Sequence, residues 1–181
     1  MTTVSDTAGM RVVDVITTYL ELRHAGALRP ARLDDADITV VEAMQPTVAF
    51  YRFLYAAVGS TYAWTDRLAW SDAELHDYLQ RPGVTILVVY VRGVPAGYVE
   101  LLREADEPGT EIAYFGIMPE FQGRGLGKYL LTVGAERAFD GGAERVWLHT
   151  CSLDGPYALA NYQARGFMPY KTIAHQRQIA Q

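Results

Sequence analysis

A single cysteine, Cys151, stands among 181 residues, so no internal disulfide can staple the fold and stability has to come from a buried core. A chain of this length can bury enough surface to fold without a structural metal. Clusters of His, Cys, Asp and Glu with metal-ligand spacing are missing too, and no metal is expected. Positive charge is in deficit. The formal net charge of −5 argues against a nucleic-acid surface held by counterion release, yet leaves small anionic ligands open, because those are bound by local donors. Long apolar runs are also lacking: the strongest, "VTILVVYV" at residues 84–91, falls far short of the roughly 20 residues a bilayer span requires and reads as a buried strand. The opening "MTTVSDTAG" has neither the basic region nor the apolar core of a secretory signal. Residues 1–10 read as a loose tail, and a cytoplasmic location is the expectation. With no repeat, low-complexity tract or linker in view, residues 11–181 read as one domain.

What is present is an alternating series of elements. Residues 11–22, rich in β-branched and aromatic types, predict a strand, and residues 38–44 a second. Residues 47–58 carry apolar side chains at helical spacing, and Ser71 followed by Glu74 is a capping-box pattern that should open a short helix. Residues 84–91 and 95–103 predict a hairpin turning at Gly93, and residues 110–118 a further strand. Residues 125–139 read as a helix with Leu126, Leu130, Leu131, Val133 and Ala138 as its apolar stripe, stopped by Asp140-Gly141-Gly142. A strand at 145–151, a helix at 157–165 ended by Gly166, and a last strand or strand pair at 167–178 complete the chain. The pattern is α/β: a twisted sheet, antiparallel in its first half, with one strand-helix-strand crossover near 110–151 whose two strands should be parallel.

Inside that crossover lies "EFQGRGLGKY", residues 120–129, with glycines at alternate positions ahead of a helix. A nucleotide P-loop would need a Ser or Thr after the lysine, and Tyr129 follows Lys128. A dinucleotide fingerprint would need a glycine where Lys128 stands. Taken alone, the glycines are equally compatible with a tight strand-to-helix turn and with an anion cradle. Gly123, Gly125 and Gly127 let backbone N–H groups converge without Cβ obstruction, and the helix N-terminus adds its positive end, which together suit a pyrophosphate.

The run Gln122 to Gly127, "QGRGLG", resembles the Gln/Arg-x-x-Gly-x-Gly/Ala signature of the GNAT acyltransferase superfamily. The preceding "EIAYFGIMPEF" is similar to the strand that leads into that signature, and "YALANYQARGF", residues 157–167, resembles the family's second motif. The resemblance covers residues 110–167; before residue 83 only the order of elements agrees. It implies a mostly antiparallel sheet with a central parallel, splayed strand pair and flanking helices, acting as an acetyl-CoA-dependent N-acetyltransferase. By the same resemblance Phe115, Gly116 and Ile117 form the strand edge that bonds the pantetheine arm. Gln122, Gly123, Arg124, Gly125, Leu126, Gly127 and Lys128 hold the phosphates, with Arg124 and Lys128 as charge-assisted donors.

Acyl transfer from a thioester to an amine must remove a proton from an ammonium of pKa about 10.4 and satisfy a departing thiolate of pKa about 8.5. The family positions imply Glu111, eleven residues before Gln122, as the base and Tyr162 as the group facing the sulfur. Glu100, on the neighbouring strand, competes for the base role. A backbone N–H near Ile117 is the candidate oxyanion donor. His149 reads as a buried histidine, with proton relay as the alternative, and Cys151 as a small apolar filler. One departure stands out: where many family members carry asparagine seven residues before the tyrosine, this chain has Gly155, with Asn161 nearby instead. The acceptor is expected to be a primary amine on a small molecule or peptide, selected in part by Phe50, Tyr51, Tyr55, Tyr62, Trp64, Trp70 and Tyr157. The competing class is a non-catalytic acyl-CoA sensor or interaction module of the same fold.

Overall fold

Thr47 accepts a hydrogen bond from the Phe50 N–H at 3.2 Å, and Ser71 and Glu74 close a reciprocal capping box, so each of the first two helices begins where its orphan donors find a partner. The computed structural model describes residues 10–60, 62 and 64–180. In chain order it forms β1 (Met10–Leu22), β2 (Ile38–Glu42), α1 (Val48–Gly59), α2 (Asp72–Leu79), β3 (Val84–Val91), β4 (Val94–Leu102) and β5 (Gly109–Ile117). Then follow α3 (Leu126–Asp140), β6 (Arg145–Cys151), α4 (Ala158–Ala164) and β7 (Met168–Ala180). The expected tail lies outside the described residues save Met10, which opens β1.

Seven strands make one mixed sheet in the order β2-β3-β4-β5-β6-β1-β7, with β5 and β6 its parallel pair. β3 and β4 turn at Arg92 and Gly93, whose φ values of 51° and 79° are those a two-residue hairpin needs. The last strand is single and long, and β2 ends at Glu42, two residues earlier than its apolar pattern implies. The first strand departs from the expected antiparallel first half. β1 crosses to the far side of the sheet and inserts between β6 and β7, antiparallel to both.

Each sheet face has its own core. On one, Leu126, Leu130, Leu131 and Ala135 of α3 pack on Val99, Leu101, Ile112 and Leu148. Val133, expected in the stripe, is only partly buried there. On the other, Tyr51, Leu54, Tyr55 and Val58 of α1, with Leu75 of α2, cover Ile86, Val88 and Tyr98. α1 sits so close to β5 that a Cβ on Gly116 would lie 2.3 Å from Val58 Cγ1, which only glycine allows.

Two irregularities open the sheet between β5 and β6. The strands pair only at Gly109, Thr110 and Glu111 with Arg145, Val146 and Trp147. Just beyond, β5 carries one residue more than β4 between the Tyr114–Glu100 and Ile112–Leu101 pairs, a bulge at Ala113 that bends the strand out of register with its neighbour. From there to its end at Ile117, β5 has no ladder to β6.

Candidate active site

The splay becomes a cleft of about 1180 Å³ whose walls are β5, β6, the start of α3, the turn before α4 and the α1–α2 connection. The ladder of β4 with β5 fixes what β5 offers it. Met118 donates its N–H to Ala96 O at 2.8 Å, so the alternation of a strand turns the N–H groups of Ile117 and Phe115 away from β4, toward the gap. Gly116, between them, turns its backbone to β4. Gln122 Nε2 donates to Ile117 O at 3.2 Å and to the Tyr62 hydroxyl at 3.1 Å, tying the loop to the end of β5 and to the α1–α2 connection.

At that end of the cleft the chain turns through Gly123 and Gly125, with φ of 77° and 80°, into α3. Gly125 is the residue preceding the helix, and the first-turn N–H groups that no carbonyl in the helix can satisfy therefore face the loop concavity. A Cβ on Gly123 would meet nothing within 4 Å, whereas one on Gly125 would lie 3.2 Å from Lys128 Cε. Gln122, Gly123, Gly125, Leu126, Gly127 and Lys128 all line the cleft. Arg124 does not: it is exposed, bonds Glu120 O at 3.2 Å and lies over the Phe121 ring.

Tyr162 sits in the middle, 8% exposed, its ring against Phe115 and Phe167. Burial pushes its phenol far above the ordinary tyrosine value, with the charge of Asp154 adding to the effect. Gly155 stands where the family's asparagine was expected. A Cβ there would lie 3.2 Å from Tyr62 Cε1, so Tyr62 has taken the adjacent space, while Asn161 reaches the cleft wall from α4.

Glu111 and Glu100 diverge. Glu111 lines the cleft with its side chain 18% exposed, and His149 Nδ1 lies 3.5 Å from Glu111 Oε1. Glu100 is wholly buried: the Tyr51 hydroxyl donates to it at 2.6 Å, the Tyr78 hydroxyl donates to the other oxygen, and Arg67 Nη2 lies 3.2 Å away. Burial pushes the Glu100 carboxyl up, against the opposing pull of those donors. A carboxylate so enclosed has no face left for an acceptor amine.

His149 is not buried as expected: 47% of its side chain is exposed, and the Glu111 hydrogen bond and charge hold its imidazole above the ordinary histidine value despite desolvation. Cys151 is half-buried in the cleft wall, its thiol pushed up by burial. Of the expected acceptor aromatics, Tyr62, Trp64 and Tyr157 line the cleft, while Tyr51 and Tyr55 belong to the core and Trp70 packs on Tyr78. The cleft is also lined by residues that the motifs did not flag: Tyr19 and Thr17 of β1, Asp66 and Arg67 of the α1–α2 connection, and His175 and Arg177 of β7. Among the described residues no cluster could hold a metal ion, and no helix is long and apolar enough to cross a membrane.

A splayed parallel pair with a glycine loop and a helix N-terminus at its end is the framework of an acyltransferase, and the model of the acetyltransferase (GNAT) family matches residues 51–167, more than half the chain. The chain belongs to that family. It is 29% identical over 154 residues to the mycothiol acetyltransferase of Mycobacteroides abscessus, a match covering 81% of this chain and 51% of that protein. In fold it resembles a GCN5-related N-acetyltransferase from Kribbella flavida, with a TM-score of 0.65 and 22% identity over 95% of this chain and 60% of that one. Another from Sphaerobacter thermophilus gives 0.66 and 16% identity, covering 95% and 53%. The chain thus spans about half the length of the relatives it matches.

Proposed function

We propose that the chain transfers an acetyl group from acetyl-CoA to a primary amine, and that the observation carrying this is the single cleft in which the glycine loop, the open edge of β5, Tyr162 and Glu111 meet. The pyrophosphate is held by the first-turn N–H groups of α3 and the Gly123 to Gly127 backbone, with Lys128 beside it and Arg124 outside the contact set. The pantetheine arm follows the open edge of β5, bonding the Phe115 N–H and leaving the Ile117 N–H to the thioester carbonyl oxygen. Glu111 takes the ammonium proton and the amine nitrogen attacks the thioester carbonyl while the N–H at Ile117 steadies the oxyanion; as the C–S bond breaks, the excess proton left on nitrogen passes to the departing sulfur, giving amide and CoA thiol.

Tyr162 keeps its proton throughout, because burial disfavours the phenolate. Its task is to donate a hydrogen bond to the departing sulfur; complete transfer to a thiolate of pKa about 8.5 would run against that shift. The relative named for mycothiol favours a small-molecule acceptor over a protein one. The test is thiol release from acetyl-CoA against amines, amino acids, peptides and polyamines. Release with at least one acceptor supports the reading; tight CoA binding with release for none would mark the chain as a binding module.

A further inference from the structure

We propose that His149 is a proton relay behind Glu111, accepting at Nδ1 the proton that Glu111 has taken from the acceptor and releasing one from Nε2 to water. The net change is one proton moved from ammonium to solvent. The proposal rests on the acyl-transfer reading above, and it concerns a residue that does not touch the reacting atoms.

The placement follows from the two strands. In β6 the side chains of Val146, Leu148 and Thr150 are buried on the α3 side, so Arg145, Trp147 and His149 emerge on the opposite face. Glu111 emerges on that same face of β5, opposite Leu102 of β4, just where the strands begin to part. The separation left by the splay is the 3.5 Å between His149 Nδ1 and Glu111 Oε1, and such contacts commonly tighten once substrate is bound.

The need follows from exposure. Glu111 is 18% exposed and borders two spaces, the cleft that cofactor and acceptor must fill and a smaller pocket walled by Leu102, Arg145 and Trp147. Once they are in place, the proton on Glu111 can no longer leave through the cleft, and what remains is that smaller pocket or the imidazole beside it. His149, 47% exposed, still reaches bulk water. Glu104, Glu107 and Lys171 border the smaller pocket, but among the described residues His149 is the titratable side chain that a salt-bridge distance joins to Glu111. Asp154 Oδ2 is occupied by Thr150 Oγ1 at 2.6 Å and the Cys151 N–H at 2.7 Å. Glu100 is sealed beneath α1 and α2. The Tyr19 ring from β1 lies 5.5 Å from the imidazole, and Asp66, His175 and Arg177 line the same cleft. Glu111 first, then Asp154 and Asp66, favour a proton on His149, which makes the imidazole a competent acceptor.

The experiment compares His149→Gln, His149→Ala and wild type in steady-state thiol release across pH, with and without added imidazole. Both variants should lose turnover on the order of 100-fold, the lower end of what a positioned acid–base group supplies, with KM for acetyl-CoA unchanged. The acid limb of the wild-type profile should be displaced in both, since each removes the imidazole whose pKa Glu111 raises. Added imidazole should restore turnover to His149→Ala and not to Glu111→Gln. Wild-type turnover in His149→Gln would overturn the relay, because glutamine can hold Glu111 in place but carries no proton. A loss with an unchanged pH profile and no response to imidazole would overturn it equally. Absence of thiol release from wild type with any acceptor would overturn the acyl-transfer reading itself, and would be seen before any variant is made.

Discussion

Glu100 and Glu111 stand on adjacent antiparallel strands and point from the same sheet face, yet the protein treats them in opposite ways. Glu100 lies under α1 and α2, without solvent exposure, between two tyrosine hydroxyls and a guanidinium that is itself stacked over the Trp70 and Tyr78 rings at 3.9 and 4.1 Å. Glu111 lies past the edge of that helical cover, at the point where β5 leaves β6, with one half-exposed histidine beside it. The difference teaches that a carboxylate on this sheet becomes chemically available through what fails to cover it. Three donors converge on Glu100, whereas Glu111 has one imidazole beside it and keeps an oxygen facing the cleft.

The sharpest way to break this comparison is Glu111→Gln. It should lower turnover roughly 100- to 10,000-fold while leaving the unfolding midpoint in urea near that of wild type. The loss should be partly recovered at alkaline pH, where free amine is abundant. The reverse pattern, with Glu111→Gln fully active and Glu100→Gln folded but inactive, would exchange the two roles.

Glu100→Ala should do the complementary thing. Removing the carboxylate strands Arg67 without its ion partner and leaves the Tyr51 and Tyr78 hydroxyls without an acceptor, at a cost of about 3–5 kcal/mol of stability. Urea unfolding measures it directly. A stability change below about 1 kcal/mol would show that the network adds little beyond packing.

A smaller effect is expected from Gly116→Ala, which tests the helical cover itself. The new methyl would lie 2.3 Å from Val58 Cγ1, so α1 must shift away from β5, for a loss of about 1–3 kcal/mol. Because Phe115 and Ile117 flank that position, KM for acetyl-CoA should rise with it. Unchanged stability and KM would mean that α1 moves freely over the strand.

Much of this comparison was legible in the sequence, and what was not has a physical reason. That the glycine loop, Glu111 and Tyr162 stand around one cleft was readable because their spacing to the signature is local, and α3 and β6 followed from their periodicity. His149 was misread although its signal was present: the strict alternation of Arg145–Cys151 puts it on the face opposite Val146 and Leu148. The position of β1 carried no such signal. Its pattern announces a strand, but its partners β6 and β7 lie more than a hundred residues away, and local alternation says nothing about which edge a strand joins. Tyr19, Asp66 and Arg177 were hidden for the same reason, being brought to the cleft by that pairing and by the α1–α2 connection. The sealing of Glu100 was invisible too, since it depends on three donors drawn from three separate segments.

The finest difference between the two regions is electrostatic, and Asp66→Asn probes it. Asp66 lies 3.6 Å from Arg177 with 67% of its side chain exposed, so losing this bridge should change stability by less than about 1 kcal/mol. Its charge nonetheless contributes to holding the His149 proton, after the larger contribution of Glu111 and that of Asp154. Replacing it with a neutral amide should therefore lower the His149 pKa, and Glu111→Gln should lower it further. The linkage has a definite sign. A histidine whose folded pKa is raised adds stability that is fully present below its unfolded value of about 6.5 and fades as the pH rises through the folded one. Both substitutions should accordingly weaken the protein more on the acid side of that window than on the alkaline side. NMR titration of the His149 imidazole reads the shift without any need for turnover, and Glu100→Gln provides the contrast, since its charge is enclosed by its own partners on the other side of the bulge. A His149 titration that moves as much with Glu100→Gln as with Asp66→Asn would show that the two regions share one field, and the separation drawn between them would fail.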